Sequence, residues 1–400
     1  MHYVRLKGPP KINVVADGIK TSVTFEVAND LGDDLLAPTD PVGITVKAYA
    51  ESSPYANVSC SLIERCPLEW GRGHRVMKPM FKLPPKIENA IAGGDSVSLS
   101  IGPANPELAA DSIYNILKSS IKDRKHGTHG LISTATVGLS GPDVDNDASL
   151  RQILLSGRGE PAQYLIIGEQ IGHSIARHIW DGGLVSLSAI AGTFKFPELE
   201  TSHSSCMKKV HEILTQEDGV NVLELGCGVG ILGVGLCAVY PKGMGDCTIL
   251  MTDCDDAERG ARSNMGRLHQ QRSGSNLGYA QVMYENLDWN NGCQGRFGSK
   301  VQDRRWDLIM LSDCTYNADS IPALVGTLSA VHKQNKGFDP DDGDFATTVF
   351  LATKPRHDDE LVLFDMMAAE DWTVRDKLVL SLPVLGRESE TVEMYLFEKV

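Results

Sequence analysis

Residues Val220–Gly230 read VNVLELGCGVG, and ILGVGLCAVY follows directly to Tyr240. The first run is apolar up to the acid Glu224. Gly226, Gly228 and Gly230 then turn the chain into a second apolar run with helical character. Glycine is required in such a turn because a Cβ would obstruct both the tight bend and the close approach of a ligand. The start of the helix offers backbone amides that have no partner within the helix. A strand, a glycine turn and a helix in this order place a nucleotide-like ligand at the C-terminal end of the strand. The plainer reading is a glycine-lined helix packed closely on a strand.

The glycine spacing narrows the ligand. The dinucleotide fingerprint is GxGxxG, whereas these glycines alternate as GxGxG behind a carboxylate. Glu224 would repel a diphosphate and favour a cation. S-Adenosylmethionine carries an ammonium and a sulfonium and has no phosphate, so the turn favours it over NAD.

Outward from this turn, strands and helices alternate. Strands are expected at 220–225, 247–252, 280–284, 306–312 and 346–353, and helices at 230–240, 255–270, 319–332 and 357–370. Two closing runs at 372–380 and 391–399, joined through Pro383 and Gly386, read as an antiparallel hairpin at one edge. The expected fold is α/β, a doubly wound, mostly parallel seven-stranded sheet. Ahead of it the pattern predicts a short strand at Tyr164–Ile167, a helix over Ile175–Ile190, a loop over Gly192–Ser205 and a helix over Cys206–Leu214. The second strand, TILMT, ends at Asp253, 27 positions beyond Gly226. An acid there accepts hydrogen bonds from ribose hydroxyls. Asp255 and Asp256 are better placed to cap the next helix. The fourth strand, WDLIMLS, leads into Asp313-Cys314-Thr315-Tyr316. Ligands sit at such strand ends, so Asp313 and Tyr316 could flank the reacting group; the alternative is a capping Asp and an ordinary half-buried Tyr.

ELGCGVG, TDCDD, DLIMLSDCTY and the closing ETVEMYLFEKV resemble the seven-β-strand (class I) methyltransferases. More narrowly they are similar to the methyltransferase-like family of protein-lysine methyltransferases, marked by a DxxY sequence after the fourth strand. The resemblance covers roughly residues 164–400. It implies that Glu224, Gly226, Gly228 and Gly230 form the cofactor turn and that Asp253 binds the ribose. It further implies that Trp180 in HIWDGG contacts the methyl donor and that Trp289 in NLDWN packs by the adenine. Ser312 matches the small residue before the DxxY, and Asp313 and Tyr316 match the DxxY itself. Forty or so residues lie between Trp180 and the glycine strand, including GTFKFPELETSHSS, a longer link than the family usually has.

Residues 1–150 lie outside the resemblance. TSVTFEV at 21–27 and GITVKAYA at 43–50 alternate as strands do, and Leu108–Ile121 has helical spacing. This half reads as a β-rich region of unknown role, ending in the polar stretch GPDVDNDAS at 141–149; residues 151–400 read as the methyltransferase domain. A chain of 400 residues exceeds one comfortable core, in line with two domains. With 38 Lys and Arg against 52 Asp and Glu the net charge is −14, which disfavours general binding to nucleic acid or anionic membrane. Nine cysteines with no CxxC pair, Cys60 and Cys66 being the closest two, suit buried thiols in a reducing compartment rather than a disulfide frame or a zinc site. No signal-peptide-like run opens the sequence. A cytoplasmic or nuclear monomer with no metal is expected. His173, His178, His203 and His211 are scattered beside the expected helices and read as ordinary surface or core histidines. Ser273–Gly278 and Asn290–Ser299 are polar loops, and Asp339–Asp344 is an acidic one.

The chemistry that follows is in-line methyl transfer to a lysine of a protein substrate, with Asp313 and Tyr316 holding the amine. The alternatives are a small-molecule N-methyltransferase and a non-catalytic interaction module on the same fold; a dehydrogenase is disfavoured by the GxGxG spacing.

Overall fold

Val220, Val222, Leu223, Glu224 and Leu225 are all buried, as a strand covered on both faces must be. The computed structural model describes residues 1–51, 57–62, 67–121, 129–142, 144–157, 159–172, 177–272, 277–338 and 345–400. Cys66, His173, most of Ser273–Gly278 and the acidic run Asp339–Asp344 lie outside the described residues. The chain packs as two units. One holds Met1–Leu154, Ile166–His178 and Leu382–Glu390; the other holds Leu155–Leu165, Ile179–Ser381 and Thr391–Val400. The division is thus not a single cut after residue 150.

In the second unit seven strands form one sheet: β1 (Val220–Leu225), β2 (Cys247–Asp253), β3 (Gln281–Asn286), β4 (Leu308–Ser312), β5 (Thr347–Thr353), β6 (Thr373–Leu382) and β7 (Glu390–Lys399). Their spatial order is β3-β2-β1-β4-β5-β7-β6. The pairs β1/β2, β2/β3, β1/β4 and β4/β5 are parallel, and β7 runs antiparallel to β5. The last strand therefore inserts between β5 and β6, and the hairpin occupies one edge, as the sequence pattern implied. Because the chain leaves β1 toward β2 on one side and returns to β4 on the other, a crevice opens beyond the carboxyl ends of β1 and β4.

The helices of this unit are α1 (Asp181–Lys195), α2 (Ser205–Leu214), α3 (Ile231–Val239), α4 (Asp255–Arg272), α5 (Ile321–Phe338) and α6 (Val362–Ala369). All nine residues of α3 are buried, which explains its unbroken apolar run. Ile175 and Ala176 lie outside the described residues; among those described, the expected helix begins at Asp181. Trp180 is its extended N-cap, and the helix continues into the expected loop as far as Lys195. Asp181 in the first turn suits the positive end of the helix dipole. Among the described residues no helix is long and apolar enough to cross a membrane.

The first unit is β-rich. Its main sheet runs, edge to edge, through Tyr164–Gln170, Ala148–Leu154, Ala135–Ser140, Ser96–Pro103, Val42–Glu51 and Asn57–Ser61, with Leu68–Trp70 also on Val42–Glu51. The strand at Tyr164, assigned from sequence to the C-terminal half, thus joins this sheet. TSVTFEV is not one strand: Gly18–Ser22 and Phe25–Ala28 belong to two different three-stranded sheets. The helix over Leu108–Ile121 begins only at Ile113, after a single 3-10 turn at Pro106–Leu108. Trp70 anchors the core and donates its indole N–H to the Leu36 carbonyl at 2.8 Å. Arg151 is buried beside Glu169 at 2.6 Å, and it also donates to the carbonyls of Ser133 and Val4.

Candidate active site

The turn after β1 has Gly226, Gly228 and Gly230 at φ +70°, +53° and +83°, the left-handed region that favours glycine. A Cβ on Gly226 would stand 2.5 Å from Cys314 Sγ and 3.1 Å from Trp289 Cζ2. The bare backbone therefore lies against the turn after β4 and against the Trp289 ring. Trp289 opens a short helical turn capped by Asp288, whose side chain accepts the Asn290 amide. The ring is half-buried.

Glu224 projects beneath this turn. It is 0% exposed, and neither carboxylate oxygen has a hydrogen-bond partner. A Cβ on Gly233, in α3, would fall under 3.0 Å from its Oε2. Burial first, and the charge of Asp253 second, push the Glu224 carboxyl up to about 8, against a smaller lowering effect of the Gly233 amide, which lies outside hydrogen-bonding geometry. An isolated buried acid is costly unless something neutralises it.

Asp253, at the end of β2, accepts the Gly228 amide on Oδ2 and the Cys254 amide on Oδ1, both at 2.7 Å. Burial raises its carboxyl against the lowering effect of those two amides. The acid expected at the ribose thus also holds the glycine turn to β2. Asp255 and Asp256 are the first two residues of α4 and lie within its first turn rather than ahead of it as caps.

The turn after β4 is built differently. Asp313 has φ +50°, uncommon for a residue with a side chain, and is only 4% exposed. Its Oδ2 accepts the Gly182 amide at 2.5 Å. Its Oδ1 accepts the Lys354 amide at 3.0 Å and Arg356 Nη1 at 2.9 Å. The Asp313 carboxylate therefore ties the start of α1 to the end of β5. Gly182 and Gly183 permit this approach: a Cβ on Gly182 would meet Asp313 Oδ2 at 2.5 Å, and one on Gly183 would meet Ser312 Oγ at 3.2 Å. Lys354 Nζ pairs with Asp181 at 2.9 Å, both side chains buried. Burial works against charge on Asp181, yet the Lys354 ammonium helps hold its carboxyl below the ordinary range. Arg356 lies over Trp180, 4.8 Å from the ring centroid. Tyr316 lies 5.2 Å from the same ring and is 48% exposed. Burial raises the Tyr316 phenol, with smaller contributions from Cys314 and Asp253.

Two groups of expected residues thus come together. Glu224, Gly226, Gly228, Gly230, Asp253 and Trp289 surround the first turn; Trp180, Ser312, Asp313 and Tyr316 surround the second. Cys314, whose thiol lies 3.4 Å from the Leu225 carbonyl, joins them. Asp313, expected to hold the substrate amine, has its carboxylate engaged by two backbone amides and a guanidinium. Lys354, Arg356, Gly182 and Gly183 were not singled out from sequence as site residues. Their signals were present: two glycines at a helix start, and KPRHDDE directly after the fifth strand. The histidines are engaged elsewhere, His211 with Thr193 Oγ1 and His178 with the Gly172 carbonyl, each at 3.0 Å.

The residues of the first turn suit S-adenosylmethionine. They offer a buried acid with no hydrogen-bond partner, a turn of three left-handed glycines, and an acid at the end of the second strand. A family model described as lysine methyltransferase matches residues 160–370. A UPF0665 family protein of Schizosaccharomyces pombe is 23% identical over 338 residues, 84% of each chain. Among solved structures, a SAM-dependent methyltransferase of Methanosarcina mazei aligns with 48% of this chain and 97% of its own, at 14% identity and a TM-score of 0.31. The M. jannaschii TYW2 in complex with AdoMet aligns with 66% of this chain and 91% of its own, at 9% identity and a TM-score of 0.33. With the family match spanning more than half of its length, the chain belongs to the lysine methyltransferase family and is an S-adenosylmethionine-dependent methyltransferase.

Proposed function

We propose that the chain methylates the side-chain amine of a lysine in a protein substrate. The observation that carries the cofactor half of this reading is Glu224, a fully buried carboxylate with no partner beside a glycine turn. The family match supports lysine as the acceptor.

S-Adenosylmethionine supplies a methyl group on a sulfonium, which is a good leaving group. The protein's part is then alignment and exclusion of water. Glu224 would take the ammonium of the donor, and Asp253 its ribose hydroxyls. Gly226, Gly228 and Gly230 would admit it close to the backbone, with Trp289 at the adenine. Ser312 and Asp313 set the floor of the second turn. Asp313 acts here as a brace for the start of α1, and Tyr316 receives the substrate chain beside Trp180, whose ring also borders the methyl donor. A lysine amine has an ordinary pKa of about 10.4 and attacks only when neutral. Partial burial against the Trp180 and Tyr316 rings disfavours its charged form.

Two measurements test the reading. Titration calorimetry should show S-adenosylhomocysteine binding; absence of binding would sink the cofactor half. Incubation of a cell lysate with the protein and methyl-labelled S-adenosylmethionine should label protein bands. Label confined to the small-molecule fraction would replace the protein substrate with a small amine.

A further inference from the structure

A lysine methyltransferase faces a conflict at its acceptor site. A carboxylate attracts the ammonium of the incoming lysine, yet it also stabilises the protonated form, which cannot attack. Asp313 is such a carboxylate, directly beside the turn that carries Tyr316.

Arg356 meets this conflict. It lies just past β5, with its side chain 7% exposed. Nη1 reaches Asp313 Oδ1 and the Lys354 carbonyl, each at 2.9 Å. The guanidinium lies 4.8 Å from the centroid of Trp180, and Tyr316 borders the same ring. Its backbone amide is anchored too, donating to Glu360 Oε1 at 3.1 Å. A guanidinium remains charged at every working pH, so this is a fixed positive charge in a fixed place.

We propose that Arg356 is a positioning residue that offsets Asp313 and disfavours the ammonium form of an amine entering beside Trp180 and Tyr316. The inference rests on the lysine-methylation reading above. The proton leaves the amine for solvent before transfer; the nitrogen lone pair then forms the new N–C bond as the C–S bond breaks, and sulfur keeps that electron pair. The other charges around the aromatic pair are committed elsewhere. Lys354 is paired with Asp181. Glu360 accepts from Thr315 Oγ1 and from the amides of Arg356 and His357. Asp253 accepts two amides. Cys314, Asp253 and Cys254 each add to the upward push on the Tyr316 phenol, and His357 is exposed. Without Arg356 the acids nearest the acceptor, Asp313, Glu360 and Asp253, would favour the ammonium.

The test is the pH profile of the initial rate, from pH 6 to 10. The substrate is lysate protein from cells lacking this protein, with methyl-labelled S-adenosylmethionine at saturation. Arg356→Gln should move the acidic limb upward by about one pH unit, the order of shift that a neighbouring charge confers. Arg356→Lys should leave the limb near its wild-type position, and Asp313→Asn should move it downward. S-Adenosylhomocysteine affinity by calorimetry should stay within about threefold in Arg356→Gln and Arg356→Lys, because the effect falls on the amine. A uniform drop in rate with an unmoved limb would show a merely structural role and overturn the proposal. If Arg356→Gln loses its far-UV circular dichroism, Asp313→Asn decides: an unmoved or upward limb overturns the proposal. Failure of the underlying reading looks different. The wild-type protein would then bind S-adenosylhomocysteine yet label no protein at any pH, and the proposal would fall with it.

Discussion

Glu224, on β1, and Asp313, one residue past β4, are carboxylates at the carboxyl ends of neighbouring parallel strands. Both are buried. Glu224 has no hydrogen-bond partner on either oxygen, whereas Asp313 accepts two backbone amides and the Arg356 guanidinium. The sheet thus treats two similar acids in opposite ways. Asp313 is a finished brace, and its charge is answered within the chain. Glu224 has been left unanswered, which costs stability unless a cation arrives. A buried acid with a full set of donors speaks for structure; one with none speaks for a ligand.

The largest test of this contrast is Asp313→Ala. It removes three bonds and leaves the Arg356 guanidinium without its carboxylate, and breaking a buried pair in this way costs about 3–5 kcal/mol. Urea unfolding should show that loss; a change below about 1 kcal/mol would erase the distinction between the two acids. Glu224→Gln should act with the opposite sign. The folded Glu224 holds its proton up to about 8, whereas the unfolded side chain releases it near 4.5. Stability of the cofactor-free protein should therefore fall as pH rises from about 4.5 to about 8, because the folded state binds the extra proton in that window. Glu224→Gln removes this dependence. It should leave unfolding at pH 4 unchanged and stabilise the protein at pH 8.5 by up to a few kcal/mol, at about 1.4 kcal/mol per pKa unit. It should also weaken S-adenosylhomocysteine binding at least about tenfold, the order expected for one charged hydrogen bond.

A pair of glycine variants sharpens the comparison at smaller cost. Gly182→Ala and Gly233→Ala each press a Cβ against one of the two acids. Both should lose about 1–3 kcal/mol by overpacking. Only Gly233→Ala should also lose S-adenosylhomocysteine affinity in calorimetry, since only Glu224 is proposed to meet the ligand. Tyr316→Phe should be nearly silent in stability, within about 0.5 kcal/mol, because the ring is half exposed. A reduced rate of label incorporation with an unchanged melting temperature would assign the hydroxyl to the acceptor.

Much of the catalytic unit was legible from local patterns. The central strands β1, β2, β4 and β5 are short apolar runs ended by turn residues, and the helices between them have their own periodicity, so existence and order follow from nearest neighbours along the chain. GxGxG behind Glu224 was readable as a tight glycine turn for the same reason: one backbone segment supplies all of it. Misreadings arose where a segment's partner is remote. Tyr164–Gln170 has an ordinary strand pattern, and nothing in it says that it joins the sheet of Ala148–Leu154. Residues 177–180 read from sequence as part of a helix, but the helix starts only at Asp181, where Gly182 can lend its amide to Asp313.

From the sequence alone came the α/β alternation, the glycine turn and its acid, Asp253 and the DxxY, each encoded in a few consecutive residues. Only the tertiary structure decided which acid is answered and which is not. Asp313 meets Gly182 across 131 positions, Lys354 across 41 and Arg356 across 43. Such bonds depend on how strands lie side by side, and no local periodicity carries that information.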